Sequence, residues 1–273
     1  MFSPASWLRV VPLVLLALCP SPAVWAQLAA LNNQIQVVSP MRQVEPPSPN
    51  ASADELEKQA DLLRARKAYI DAIDYFRAAL EKEPGRAAVL NKMGITLLML
   101  QRFNEAGKNF QQAIKRDRNC AEAYNNLGVV DYERRKYRPA IKQYKKALEL
   151  SPESASFYSN LGAAYFATRN YERAGQAYAE AVKLDPQIFE RSSRTGVAAQ
   201  MASPADRAHY DYVVAKLYAK MGDKDHSLEY LRKAMEDGYK GVDEAFTAPE
   251  FTELRKDVRF AELMKARPAP IPE

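Results

Sequence analysis

From residue 53 onward the sequence returns to the same residue types every 34 positions, and this period constrains the fold more than any other feature. Small residues recur at Ala60, Gly94, Gly128 and Gly162, at Ala72, Ala106, Ala140 and Ala174, and at Ala79, Ala113, Ala147 and Ala181. Aromatics fall at Phe76, Phe110, Tyr144 and Tyr178, and large apolar residues at Leu56, Leu90, Tyr124 and Tyr158. Proline closes three of the four units, at Pro84, Pro152 and Pro186. Columns in phase over four units mark an internal repeat, and repeats of this length build by stacking.

Each unit reads as two helical stretches, for example Ala121 to Arg135 and Tyr137 to Leu150. The small residue of the first helix is expected to face the small residue of the second, and the aromatic of the second to fill space against the next unit. Proline ends the second helix because it has no N–H to continue it. Pro139 falls in a first turn, where a missing N–H costs little. A pair this short buries its apolar face only against neighbouring pairs. The expected fold is therefore all-α, a right-handed solenoid of helix-turn-helix units with a C-terminal helical cap.

The pattern resembles the tetratricopeptide repeat, most fully in Tyr124-Asn125-Asn126-Leu127-Gly128 and in Tyr158-Ser159-Asn160-Leu161-Gly162-Ala163-Ala164-Tyr165. The resemblance is strong over 53–188, as units 53–86, 87–120, 121–154 and 155–188. A degenerate fifth unit spans 208–241, with Val214, Ala215, Tyr218, Leu231 and Ala234 in place, Ser227 for the usual alanine and Lys224 for the usual aromatic. Gln59, Asp131 and Arg118 are further departures. Residues 189–207 read as an insertion between units, 242–266 as a terminal cap, and the proline-rich 267–273 as a frayed end.

The N-terminal residues belong to a different class. Arg9 precedes a short apolar run, Val10 to Leu18, followed by prolines and by Val24-Trp25-Ala26, with small residues where a signal peptidase reads them. Bilayer spans need about 20 residues, so 1–26 reads as a cleaved secretory signal, with Gln27 as the mature N-terminus and a periplasmic or secreted location. The alternative is a lipoprotein signal with Leu16-Ala17-Leu18-Cys19 as lipidation box, although large Leu18 stands where a small residue is usual. Residues 27–52, rich in Pro, Gln and Asn, read as a flexible tether. Removing the signal leaves Cys120 alone, so an intrachain disulfide is excluded and stability must come from packing.

Sites of chemistry are hard to assemble from these residues. Two cysteines and two histidines make a structural zinc centre a poor expectation. No phosphate loop, Gly-x-Ser-x-Gly or His-Glu-x-x-His is present, no cofactor is implied, and the expected role is not enzymatic. His226 beside Asp223 and Asp225 reads as a solvated turn with an N-cap, His209 as part of an amphipathic helix, and Cys120 as a small hydrophobe at a unit junction. A formal net charge of +5 is too small to point to nucleic acid.

What the resemblance implies is a concave groove lined by the first helices. Its groove positions fall here on Asn91, Ile95, Leu98 and Met99, on Asn125, Asn126, Val129 and Tyr132, and on Ser159, Asn160, Ala163 and Phe166. Amides there would hold an extended or helical peptide, with apolar and aromatic residues as pockets. The basic clamp by which some relatives grip chaperone carboxylates is missing: Glu57, Asp61, Asn126 and Asn160 occupy its places, with Glu122 and Ser156 where further basic residues would be needed. Arg134 to Lys146 holds seven cations and no acid. A membrane or acidic partner would suit that run, but solvated charge on an outer helix face is the plainer account. The expectation is an exported scaffold binding a peptide segment of a partner protein, or else an envelope assembly factor anchored through Cys19, helping to build a pilus or outer-membrane complex.

Overall fold

The computed structural model describes residues 44–189 and 204–270. Eight helices form four pairs in strict register: α1 (Ala53–Ala65) with α2 (Tyr69–Lys82), α3 (Ala87–Met99) with α4 (Phe103–Arg116), α5 (Ala121–Glu133) with α6 (Tyr137–Leu150), and α7 (Ala155–Ala167) with α8 (Tyr171–Leu184). A fifth pair, α9 (Pro204–Met221) and α10 (Lys224–Glu236), follows. Three short 3₁₀ turns and α11 (Val258–Ala266) end the described chain. Each pair packs on the next, so the fold is the all-helical solenoid that the period demands.

The turn inside each pair is the same hydrogen-bonded device. In the third unit Arg135 N–H donates to Tyr132 O at 2.8 Å and Lys136 N–H to Asp131 O at 2.8 Å, the paired bonds of a Schellman motif. The geometry requires a left-handed middle residue. Lys67, Gln101, Arg135 and Arg169 all adopt it, with φ between 56° and 62°, and only the fifth unit places a glycine there, Gly222 at φ 81°.

The helices of a pair approach at one point, and the residue waiting there is not the one expected. A β-carbon on Gly128 would stand 2.6 Å from the Tyr144 ring, and one on Gly94 would stand 2.5 Å from Phe110. Gly162 meets Tyr178 in the same way. The small residue thus faces the aromatic of its own unit, not the alanine of the second helix. The ring does double duty, because Tyr144 also clusters with Leu161 and Ala164 of the next unit. Phe76, Phe110, Tyr144 and Tyr178 are all fully buried. Full burial of such a ring contributes roughly 1.5–3 kcal/mol. The Tyr144 and Tyr178 hydroxyls find no hydrogen-bond partner among the described residues.

The ends differ from the middle. Ser52 caps α1 through a reciprocal capping box with Glu55. Residues 44–51, expected to be free tether, lie along α2 instead: Tyr75 donates to Glu45 O at 3.2 Å and Lys82 to Pro49 O at 2.8 Å, while Val44 and Ala51 pack on the first unit's core. Prolines keep this strap out of a helix but leave its carbonyls free to accept. Residues 1–43, which include the signal, Cys19 and most of the tether, lie outside the described residues, as do 190–203 and 271–273. The fifth pair starts earlier than expected, at Pro204, and Phe189 is a core residue where an insertion was expected to begin. Ser227, the departure from alanine, is satisfied by donating to Ala215 O at 2.8 Å across the pair. After α10, Phe251, Leu254, Phe260 and Leu263 bury themselves against it and α9. Arg255 donates to the carbonyls of Ala245 (3.1 Å) and Ala248 (2.8 Å), tying the 3₁₀ turns together.

Asp211, on α9, is buried in this last unit. Burial raises its carboxyl to about 7, and the Asp237 charge pushes the same way, against Lys233 and Arg207. The folded state therefore holds this proton more tightly than the unfolded chain. Its contribution to stability is lost as pH rises from the unfolded value near 4 to about 7.

Two outcomes are expected. Gly128→Leu should lower the melting temperature, with a cost on the order of 1–3 kcal/mol for forcing the Tyr144 ring aside, whereas Tyr144→Phe should be neutral or stabilising because it deletes an unpartnered hydroxyl. Thermal denaturation of both variants checks this. Asp211→Asn should flatten the pH dependence of stability between about pH 4 and pH 7, raising stability most at the upper end, by on the order of 1–4 kcal/mol. Denaturant titrations at several pH values measure it.

Candidate peptide-binding groove

Each first helix presents its early and middle turns to the concave side, and the side chains there join one unit to the next. Between the third and fourth units Asn160 Nδ2 donates to Asn125 Oδ1 at 2.9 Å. Asn125 Nδ2 donates to its neighbour Asn126 Oδ1 at 3.2 Å, and Asn126 Nδ2 to Asn91 Oδ1 at 3.0 Å in the second unit. Four amides thus form one row across α3, α5 and α7. Expected as free hands for a peptide backbone, they are largely occupied with each other. Each side-chain amide has more donors and acceptors than the row uses, so those of the partly exposed Asn91, Asn126 and Asn160 retain capacity.

The same joint is ionic between the first and second units. Lys92, at the place of Asn126 and Asn160, donates to Glu57 Oε1 at 2.7 Å and to Asp61 Oδ2 at 2.5 Å. Arg86 adds a contact of 2.8 Å to Glu57. Burial alone would lower the Lys92 pKa, but the hydrogen bonds to Asp61 and Glu57 outweigh it and hold it raised. Sequence reasoning passed over Lys92. The signal was there: acids at the fifth and ninth places of one unit precede a lysine at the sixth place of the next. In the fifth unit Lys216 pairs with Glu250 of the C-terminal segment at 3.0 Å.

The expected pocket residues divide into two groups. Asn125, Tyr132, Ser159, Ala163 and Phe166 are buried between helices and do not line an open surface. The two aromatics are held at their own turns. Tyr132 is only 9% exposed and meets Tyr137 edge-on at 5.2 Å. Phe166 is 4% exposed and meets Tyr171 at 5.2 Å and Tyr210 of the fifth unit at 6.0 Å. Ile95, Leu98, Val129 and the three remaining amides are half-buried, and Met99 is 56% exposed. The open candidate surface is therefore Ile95, Leu98, Met99 and Val129 beside Asn91, Asn126 and Asn160, centred on the second and third units.

The other polar clusters have structural employment. Asp223 caps α10, accepting from His226 N–H at 3.1 Å and meeting His226 Nδ1 at 2.7 Å, and Asp225 pairs with Arg259 at 2.6 Å. His209 lies among rings, 4.0 Å from Tyr171 and 5.2 Å from Tyr239, and burial lowers its pKa. Burial likewise raises the Cys120 thiol.

Family models agree with the helix pairs. Those described as tetratricopeptide repeat match residues 63–128, 155–188 and 212–236, and one described as TPR repeat matches 130–168. These are tetratricopeptide repeats. No curated protein matches the sequence significantly. Among solved structures, MamA (residues 41 to end) from Desulfovibrio magneticus is similar at 20% identity and a TM-score of 0.50, over 74% of this chain and 100% of that one. Pseudomonas aeruginosa PilF is similar at 20% identity and a TM-score of 0.51, over 75% and 82%. Likeness at this level establishes the fold alone; the tetratricopeptide repeats matched by the family models support a protein-interaction scaffold.

Asn126→Ala should remove two links of the amide row and lower stability by about 1–2 kcal/mol, while Asn160→Ala, at the end of the row, should cost about half as much. Chemical denaturation of the two variants orders them, and equal effects would show that the row is not continuous.

Proposed function

We propose that the chain is an exported, non-enzymatic scaffold that binds a peptide segment of a partner protein on the concave face of its second and third units. The supporting observation is the exposure of Met99 beside Ile95, Leu98 and Val129, on a face whose neighbouring charges are internally paired. Apolar side chains left open in such a place gain stability when a partner covers them. Asn91, Asn126 and Asn160 border that patch with spare amide capacity, which suits a peptide backbone. Export rests on the signal-like residues 1–26.

A second reading keeps the same groove on an envelope assembly factor anchored by lipid at Cys19, and Leu16-Ala17-Leu18-Cys19 is the feature that favours it. The intact mass of the protein purified from cells separates the two: a chain starting at Gln27 supports the first, and an acylated chain starting at Cys19 supports the second.

Groove binding is tested by the double change Met99→Glu and Val129→Glu. With a partner captured from envelope extract and then purified, titration calorimetry should show roughly tenfold or weaker binding, with little change in the melt. Unchanged affinity in the folded variant would move the binding surface elsewhere.

A further inference from the structure

The outer face of the array carries a second opening, independent of the concave groove. A cleft of about 470 Å³ lies between α2, α3 and α4, where the first unit meets the second. Its floor is apolar, made by Leu80, Leu90 and Met93, and one wall is made by Gln112, Lys115 and Arg116. We propose that this cleft is a docking site for a short acidic peptide segment that carries apolar side chains.

The repeat itself explains why the cleft is open. Leu90 stands at the fourth place of its unit, where the next two units have Tyr124 and Tyr158. Tyr124 packs on Ala147 and Phe157, and its hydroxyl bears on Lys146, the counterpart of Gln112. Leucine is shorter by the ring's outer edge and hydroxyl, so the second unit lacks the side chain that occupies this place in its neighbour.

The walls name the chemistry of the occupant. Lys115 and Arg116 are exposed and have no carboxylate in ion-pair range among the described residues. After Glu105, which Arg102 grips through both oxygens at 2.7 and 2.6 Å, α4 contains no acid. The last-turn position of the two cations suits the helix dipole, but the dipole does not account for an apolar floor beside them. The equivalent places hold Glu149 and Leu150 in the third unit and Lys183 and Leu184 in the fourth, so the doubled charge belongs to this cleft alone among the three junctions. Asn109 donates to Glu105 O at 2.9 Å and keeps its own carbonyl oxygen, and the Gln112 amide is exposed. Amides, paired cations and a greasy floor together fit a peptide backbone with carboxylate and aliphatic side chains.

Two variants test the site, one at the buried floor residue Leu90 and one on the exposed wall. Leu90→Tyr fills the cleft with the residue that the next units already use, and Lys115→Glu with Arg116→Glu reverses the wall on exposed positions. Random peptides displayed on phage are selected on the full chain and counter-selected on the Leu90→Tyr protein, with melts to verify both folds. The enriched peptides should combine Asp or Glu with aliphatic residues. Fluorescence anisotropy should show them binding roughly tenfold or more weakly to either variant, and more weakly as salt rises. Enrichment of peptides lacking acids, no enrichment surviving the counter-selection, or equal affinity for the charge-reversed protein would each overturn the proposal.

Discussion

How closely the two helices of a unit can approach decides everything stacked upon them, and that distance is set where a glycine lies beneath an aromatic ring. Gly94, Gly128 and Gly162 each let a ring from the second helix rest on backbone. The ring is then positioned to be shared with the following unit, so one contact serves both the pair and the stack. The first unit has Ala60 in place of the glycine, buried in one cluster with Phe76, and the fifth adds rings from outside the pair. Tyr212 stacks on Tyr239 at 4.4 Å and lies 5.8 Å from Phe251 of the C-terminal segment.

Much of this was legible in the sequence, and the places where it was not share a cause. A period of 34 residues with small, aromatic and proline columns leaves little freedom in fold class. It does not say which column meets which, because Ala140 and Tyr144 lie one helical turn apart on the same face and either could oppose Gly128. Only the offset of the two helices along their axes chooses the ring. The groove failed in a similar way. Its positions share one face of each first helix, yet the last of them, Tyr132 and Phe166, sit where the chain turns back and are covered by Tyr137 and Tyr171. Residues 44–51 differ from a free tether because proline content reports on helix formation, whereas docking along α2 needs only accepting carbonyls.

Charge is distributed by a related logic. The concave side neutralises itself, through Lys92 with Glu57 and Asp61 and through Lys216 with Glu250. The outer side pairs some charges within single helices, as Arg102 with Glu105 and Lys146 with Glu149, yet α6 still carries Arg138, Lys142 and Lys145 into solvent. A scaffold built this way offers greasy, amide-edged contact on one side and longer-ranged attraction on the other, with different sensitivity to salt.

The joints between units also make the array a sentence with fixed word order. Cores built on the same columns would let any unit follow any other, but the concave joints are keyed: the acids of the first unit match only the lysine of the second, and the amides of the second match only those of the third. Exchanging the second and third units would set Lys92 against amides and leave Glu57 and Asp61 facing Asn126, with no cation to answer two carboxylates. Such an array can gain or lose a unit at its ends more readily than shuffle its interior, so its modularity is that of a keyed series and not of interchangeable beads.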